Sequence, residues 1–191
     1  DYTLSGTAIT FLAGAIPQTG DTLQASYRTA GAGGLATEPA YGSSPQVLCN
    51  SAGASTSATV STALGTCFIP AGVIRAGDRI EIRYDYAHAG SSAGFSFEVR
   101  WASTALVSRA AAASEPILTG KGDAVIHASG AQWNMQSWGV STGFAVAAGN
   151  AQDAVDSDLT VQFLGRLANE TTDSLSLRSY TVIRYPMGVT P

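Results

Sequence analysis

The stretch "RIEIRYDY", residues 79–86, alternates strictly between apolar or aromatic residues and charged ones. Such a period of two is typical of a β-strand that buries one face and leaves the other in water. The side chains on the apolar face are Ile80, Ile82, Tyr84 and Tyr86. The stretch therefore predicts a strand that supplies a core, and it points to a β-rich fold.

The next stretch, "GFSFEVRW" at residues 94–101, repeats this alternation with larger side chains. Phe95, Phe97 and Trp101 fall on one side, and Ser96 falls on the other. The intervening "HAGSSAG" is rich in glycine and serine, as turns are. We expect the two stretches to pair as an antiparallel hairpin.

Further short segments have the composition of strands and are separated by Gly, Ser, Asn or Asp. The spacing is typical of a β-sandwich or jelly roll. The alanine-rich segment 103–114 lacks an apolar stripe at helical spacing, so we expect a returning strand there. Residues 69–82, with Pro70 and two glycines, predict a crossover between sheets. The further strand candidates are 46–49, 65–70, 104–110, 123–129, 132–138, 143–148, 159–165 and 174–185.

The composition changes between residues 28 and 46, "RTAGAGGLATEPAYGSSPQ", which is typical of a linker. Before it, residues 1–28 alternate twice around a turn at Pro17 and Gly20. A hairpin of that size is marginal alone in water, so it should rest on the main domain or on another chain. The sequence thus predicts an all-β protein whose main part is an antiparallel β-sandwich of jelly-roll type. The predicted parts are an N-terminal β-module (1–28), a linker (29–46), the sandwich (47–186) and a tail (187–191).

Charge and hydropathy disfavour several classes of partner. The formal net charge is −4, the chain has a single lysine, Lys121, and its arginines are scattered. A protein that binds nucleic acid usually shows a clustered basic surface, so we expect no nucleic-acid partner. No apolar run approaches the roughly 20 residues of a membrane-spanning helix, and we expect no membrane insertion.

Catalytic chemistry is poorly represented. The chain has no H-E-x-x-H and no glycine loop followed by Lys-Ser or Lys-Thr. His88, close to Asp85 in sequence, is interpreted as a hydrated loop histidine rather than a general base. The acidic loop 150–158 lacks the glycine and terminal glutamate of an EF-hand. We expect no enzyme activity, no catalytic residue, no metal and no cofactor.

The two cysteines, Cys49 and Cys67, leave two alternatives open. The favoured one is a pair of small buried thiols. The other is a disulfide, which needs an oxidising environment after release from a cell.

The stretch "QWNMQSW", residues 132–138, is the best candidate for a binding surface. Trp133 and Trp138 are five residues apart, so on an unbroken strand they face opposite sides. An exposed tryptophan beside Asn134 and Gln136 offers an apolar plate and amide groups that suit a sugar ring. Core packing is the alternative for each tryptophan. The ligand-binding candidates are Trp133, Asn134, Gln136 and Trp138, with the loops 87–94, 111–122 and 150–158 as further recognition surfaces.

The opening residues, "DYTLSGTAITF" (1–11) and "IPQTGDTLQASYR" (16–28), resemble a module that recurs in the tail fibres and appendages of tailed bacteriophages. That module has the form D-Y-T-x-S-G-T-x-I-T-F, followed by P-x-x-G-D-x-L/I-x-x-Y. A short strand usually precedes it, so we expect the chain to begin inside the module. Tyr27 lies one residue beyond the last tyrosine of the pattern. The matching residues are Asp1, Tyr2, Thr3, Ser5, Gly6, Thr7, Ile9, Thr10, Phe11, Pro17, Gly20, Asp21 and Leu23.

The resemblance implies a structural protein of the virion, an extracellular particle, in contact with other virion proteins. Together with the neutral, small-residue surface it suggests a homotrimer. Three function classes stay open: a tail-fibre or appendage domain that attaches to a host-surface glycan or receptor; a capsid decoration or adaptor protein that binds only virion proteins; and a secreted carbohydrate-binding module or polysaccharide depolymerase.

Overall fold

A computed structural model describes residues 2–5, 8–11 and 44–187. The chain divides into two compact units, Asp1–Thr37 and Glu38–Pro191. In the first unit, β1 (Tyr2–Ser5) pairs with β2 (Ala8–Phe11) as an antiparallel hairpin. The predicted turn and second alternation of the N-terminal module, most of the predicted linker and residues 188–191 of the tail lie outside the described residues.

The second unit is built from strands. The described residues contain no helix, and 64% of the structure is strand. The alanine-rich segment after Ser103 is a strand, as its lack of an apolar stripe predicted. The strands are β3 (Gln46–Ser51), β4 (Ser55–Thr56), β5 (Thr62–Ile69), β6 (Arg79–Ala89), β7 (Phe95–Trp101), β8 (Thr104–Ala111), β9 (Ile117–His127), β10 (Gly130–Gly139), β11 (Ala145–Ala151), β12 (Leu159–Leu167) and β13 (Ser174–Tyr185).

Two antiparallel sheets pack against each other. The large sheet has seven strands in the order β11-β10-β9-β6-β13-β3, with the short β4 also paired to β13. The small sheet has four strands in the order β5-β12-β7-β8. The chain passes back and forth between the sheets, and among these strands only the β3–β4, β7–β8 and β9–β10–β11 connections stay within one sheet. This is the strand order of a jelly roll, extended at one edge by the β10–β11 hairpin. The antiparallel β-sandwich of jelly-roll type is confirmed.

The predicted hairpin between residues 79–86 and 94–101 is wrong. β6 lies in the large sheet and β7 in the small sheet, so the two strands face each other across the core. The rings of Tyr86 and Phe97 are 4.9 Å apart between their centroids. Alternation shows that a strand buries one face, but it does not show whether the next strand lies beside it or opposite it. The 69–82 crossover was predicted correctly, since it carries the chain from β5 to β6.

The core lies between the sheets and is dominated by aromatic side chains of β6, β7 and β12. Trp101 and Phe163 are fully buried. Tyr84 contacts Phe97 with ring centroids 5.4 Å apart, and Phe163 contacts Tyr180 at 4.7 Å. Burying each large apolar side chain contributes about 1.5–3 kcal/mol to stability. This core fixes the large sheet so that its opposite face is held rigidly toward solvent.

A disulfide joins Cys49 of β3 to Cys67 of β5. Of the two alternatives left open by the sequence, the structure has the covalent one. Because β3 and β5 are edge strands of different sheets, the bond ties one side of the sandwich together.

The predicted loop 111–122 is also partly wrong, because β9 begins at Ile117. Gly120 and Gly122 suggested a loop, yet both lie within the strand. A Cβ at Gly120 would collide with the Tyr84 hydroxyl, and one at Gly122 with the backbone of Asn134. These glycines serve close packing rather than chain reversal.

Candidate functional site

The candidate site lies on the outer face of the large sheet, where β10, β9 and β6 run side by side. Along β10 the side chains alternate between this face and the core. Asn134, Gln136 and Trp138 lie on the outer face, and Trp133 and Met135 lie inside. The two tryptophans therefore face opposite sides, as their spacing predicted.

Trp133 is a core residue, the alternative that the sequence left open. Only 8% of it is exposed, and it lies opposite Gly149 of β11, where a Cβ would be 2.9 Å from the indole. It is thus not available to a ligand on the outer face. Gln132 is exposed on the same face as Asn134.

Two shallow depressions adjoin on this face and share Arg83 and Lys121. The first has a volume of about 250 Å³ and the second about 240 Å³. We call their outward-facing side chains the platform. Three of the four sequence candidates line it, Trp138 in the first depression and Asn134 with Gln136 in the second. The platform consists of Arg79, Glu81, Arg83, Asp85, Thr119, Lys121, Asp123, Asn134, Gln136 and Trp138.

An apolar rim borders the platform at the β10–β11 turn. The Trp138 ring stacks on Phe144, with centroids 6.4 Å apart and planes 29° from parallel. Phe144 is 64% exposed, and Val140 and Val146 beside it are also exposed. We call Val140, Phe144 and Val146 the apolar rim. The sequence did not identify it, because residues 143–148 carry only the signal of an ordinary strand.

A buried carboxylate holds this turn in place. Glu115 accepts hydrogen bonds from the backbone N–H groups of Val140 (2.7 Å), Ser141 (2.8 Å) and Thr142 (2.5 Å), and from the Ser141 hydroxyl. Burial by itself would raise the pKa of Glu115, but the hydrogen bonds from Thr142, Ser141 and Val140 outweigh it and lower the pKa to about 2. The turn is therefore anchored by an ionised group.

Arg109 of β8 fixes the other side of the hairpin. Its Nη1 donates to the carbonyl oxygens of Ser137 (2.9 Å) and Gly143 (3.0 Å), and to the Ser137 hydroxyl. It thereby links the small sheet to β10 and to the β10–β11 turn. No sequence pattern identifies Glu115 or Arg109, since most of their partners are backbone atoms distant in sequence.

Most charges on the platform are already matched within the protein. Arg79 lies 3.4 Å from Asp123, and Arg83 forms an ion pair with Glu81. Burial would raise the pKa of Glu81, but hydrogen bonds from Arg83 and Tyr185 lower it. The Asp85 carboxylate accepts hydrogen bonds from the hydroxyls of Thr119 and Ser179. Lys121, by contrast, forms no ion pair with any of the described residues.

His88 is not a hydrated loop histidine, so that interpretation is wrong. Its side chain is fully buried at the end of β6 and stacks on Phe95 with centroids 4.9 Å apart. Its carboxylate neighbour is Asp173, with Nε2 3.6 Å from Oδ2, rather than Asp85. Asp173 in turn accepts hydrogen bonds from the backbone of Ser92 and Ala93. The pair is enclosed and holds the β6–β7 crossing together.

The acidic loop after β11 has a structural role at Asp153. Its carboxylate accepts hydrogen bonds from the hydroxyls of Ser103 (2.7 Å) and Thr104 (2.9 Å), at the β7–β8 turn.

Over residues 44–187, no three His, Cys, Asp or Glu side chains are grouped as metal ligands. The same part of the chain contains no helix that could cross a membrane.

Neither a protein-family model nor a curated protein matches this chain. Its function is therefore inferred from the platform itself. A shallow, polar face with one aromatic plate can hold a ring that is apolar on its face and polar at its edge. The amides and charged groups around Trp138 can then orient that ring by hydrogen bonds.

Proposed function

We propose that this chain belongs to an appendage of a bacteriophage virion, of tail-fibre type, and that its platform attaches the particle to saccharides of the host surface. The observation that carries the proposal is the position of Trp138, Asn134 and Gln136. They lie on one solvent-facing surface and line two adjoining depressions.

The phage part of the proposal is supported by the opening residues, whose pattern resembles a module of tail fibres and appendages. The jelly roll is compatible with it, since viral capsid proteins and lectins both use this architecture. Because one fold hosts many functions, the fold supports the proposal only by analogy. The proposed location is the extracellular virion, with other virion proteins as partners.

We propose binding without catalysis. Cleavage of a polysaccharide generally needs two carboxyl groups that flank the scissile bond and exchange protons with it. In the platform, Glu81 and Asp123 are paired with arginines, and Asp85 accepts two hydroxyl hydrogen bonds. The partners that these carboxylates already have within the protein favour attachment over a depolymerase.

A decoration or adaptor protein is the second candidate, and the apolar rim favours it. Val140, Phe144 and Val146 are exposed together, and such patches commonly contact other proteins.

We also propose a homotrimer. Light scattering of the chain is expected to give three times the monomer mass, and a monomer mass would contradict this.

The test of the proposed function is the attachment of purified protein to intact bacteria and to immobilised bacterial surface polysaccharides. Trp138→Ala should weaken binding about tenfold, because the aromatic plate is lost. Phe68→Ala is the matched control, since Phe68 is an exposed aromatic residue of β5 in the opposite sheet. Equal binding by both variants would show that the platform takes no part in attachment and would favour the adaptor function.

A further inference from the structure

We infer that the saccharide bound by the platform is anionic, with its carboxylate or phosphate between Arg83 and Lys121 and its ring beside Trp138. This inference rests on the proposed function and specifies its ligand. It is carried by the hydrogen-bonding groups that the platform still has free, and by the register of β6 against β9.

Most oxygens of the platform carboxylates either accept hydrogen bonds from the protein or are buried. Glu81 accepts from Arg83 and from the Tyr185 hydroxyl at 2.9 Å. Asp123 Oδ1 lies 3.4 Å from Arg79 Nη1 and is buried, without a hydrogen bond from any of the described residues. The Arg79 guanidinium also lies 4.3 Å from the Tyr185 ring centroid. A ligand therefore finds few carboxylate oxygens to which it can donate.

The donors of the platform are largely unused. Lys121 carries three N–H donors and forms no ion pair with the described residues. Arg83 is bound to Glu81 through Nε, so its two Nη groups remain for a ligand. The side-chain amides of Asn134 and Gln136 add further donors. A neutral sugar, whose hydroxyls both donate and accept, uses such a surface less fully than a ligand rich in acceptors.

The register of the strands places two positive charges together. Lys121 of β9 lies directly opposite Arg83 of β6. Like charges at directly opposite positions of an antiparallel pair destabilise the sheet. The nearest carboxylate in the first depression, Asp85, is bound to the hydroxyls of Thr119 and Ser179 rather than to Lys121. An anionic group between the two cations would be attracted by both and would offset their repulsion.

The experiment compares anionic polymers with neutral counterparts on the full chain. The probes are polygalacturonate and alginate, each beside its carboxyl-reduced form, and a glycerol-phosphate teichoic acid that reports a phosphate as the source of the charge. At least one anionic polymer should bind about tenfold more tightly than the neutral forms. Binding should weaken as salt is raised from 0.05 to 0.5 M, roughly as the Debye length shortens.

Lys121→Gln should weaken binding about fivefold, the upper range for one exposed ion pair. Arg75→Gln is the control, because it removes the same charge from an exposed position in the β5–β6 loop. Both variants are also tested for attachment to intact bacteria. Attachment should fall with Lys121→Gln and remain unchanged with Arg75→Gln.

Two results separate this inference from the proposed function. If neutral polymers bind as tightly as anionic ones, or if attachment depends on Trp138 but not on Lys121, the anionic class is overturned and the attachment function stands. If neither polymer binding nor cell attachment depends on Trp138, both proposals are overturned.

Discussion

At the scale of single residues, side chains that do not lie on the outer face of the large sheet determine the position of its aromatic plate. Glu115 is fully buried, yet its hydrogen bonds to residues 140–142 determine where the Trp138–Phe144 stack lies. Arg109 holds the same turn from the other sheet. Positioning of the aromatic plate thus depends on a carboxylate and a guanidinium that bind backbone atoms.

Glu115→Gln is expected to lower the free energy of unfolding by about 1–3 kcal/mol. One carboxylate oxygen becomes an NH₂ group, which faces N–H donors and cannot accept from them. The shift in Tm reports the loss, and the intrinsic fluorescence of the protein reports movement at Trp138. Glu170→Gln, at an exposed position, is the control and should leave both unchanged.

The contribution of Glu115 should also depend on pH. Its pKa is about 2 in the folded protein and about 4.3 in an unfolded chain, so ionisation stabilises the fold. The stabilisation is complete above about pH 4.3 and is lost as pH falls toward 2. The difference in Tm between wild type and Glu115→Gln should therefore shrink over that interval. A difference that stays constant from pH 6 to about 2 would contradict the assigned role.

Residue patterns in the sequence identified part of the site. Asn134, Gln136 and Trp138 share a face because a strand has a period of two, and that rule needs no tertiary information. Lys121 and Arg83 could not be assigned to the same site, because their proximity depends on which strands become neighbours. His88 was predicted in a loop because the small residues around it resemble a turn. In the structure β6 continues to Ala89, so His88 lies on a strand.

At the scale of elements, the disulfide and the in-strand glycines hold the sandwich together. Cys49→Ser with Cys67→Ser is expected to lower the free energy of unfolding by about 2–4 kcal/mol, because an open loop has more conformational freedom in the unfolded chain. Denaturation with urea measures the change. Wild type treated with dithiothreitol should show the same loss, and an unchanged midpoint in both would contradict a stabilising role.

Gly120→Ala should destabilise β9 by about 1–3 kcal/mol, because the new Cβ collides with the Tyr84 hydroxyl and with the backbone of Gln136. Gly143→Ala is the matched control. Gly143 lies in the β10–β11 turn and has no atom within 4 Å of an added Cβ. Thermal unfolding should separate the two variants. Equal Tm values would show that β9 is not packed as closely as described.

The sequence predicted the existence of the strands well, but it did not predict which sheet each strand joins. The alternation in β6 and β7 reflects one buried face each, so both strands were predicted. Their placement in different sheets could not be read, since a strand paired beside its neighbour and a strand packed opposite it bury the same side chains. Gly120 and Gly122 indicated a loop because the collision that they avoid involves residues distant in sequence.

At the scale of the whole molecule, the two faces of the sandwich differ in character. The outer face of the large sheet carries the platform and its apolar rim. The small sheet exposes Phe68 on its edge strand β5 and carries the Arg100–Glu98 ion pair on β7. We therefore propose recognition by this sheet face, which carries the sequence candidates Asn134, Gln136 and Trp138, rather than by the loops 87–94, 111–122 and 150–158.

The most direct test of the central claim, that the platform is the saccharide-binding face, is an NMR titration of the ¹⁵N-labelled protein with short uronate oligosaccharides. The shifts should cluster on the outward residues of β6, β9 and β10, and should include the indole N–H of Trp138. The indole N–H of buried Trp133 should move little. Shifts confined to the small sheet, or none at all at saturating oligosaccharide, would contradict the claim.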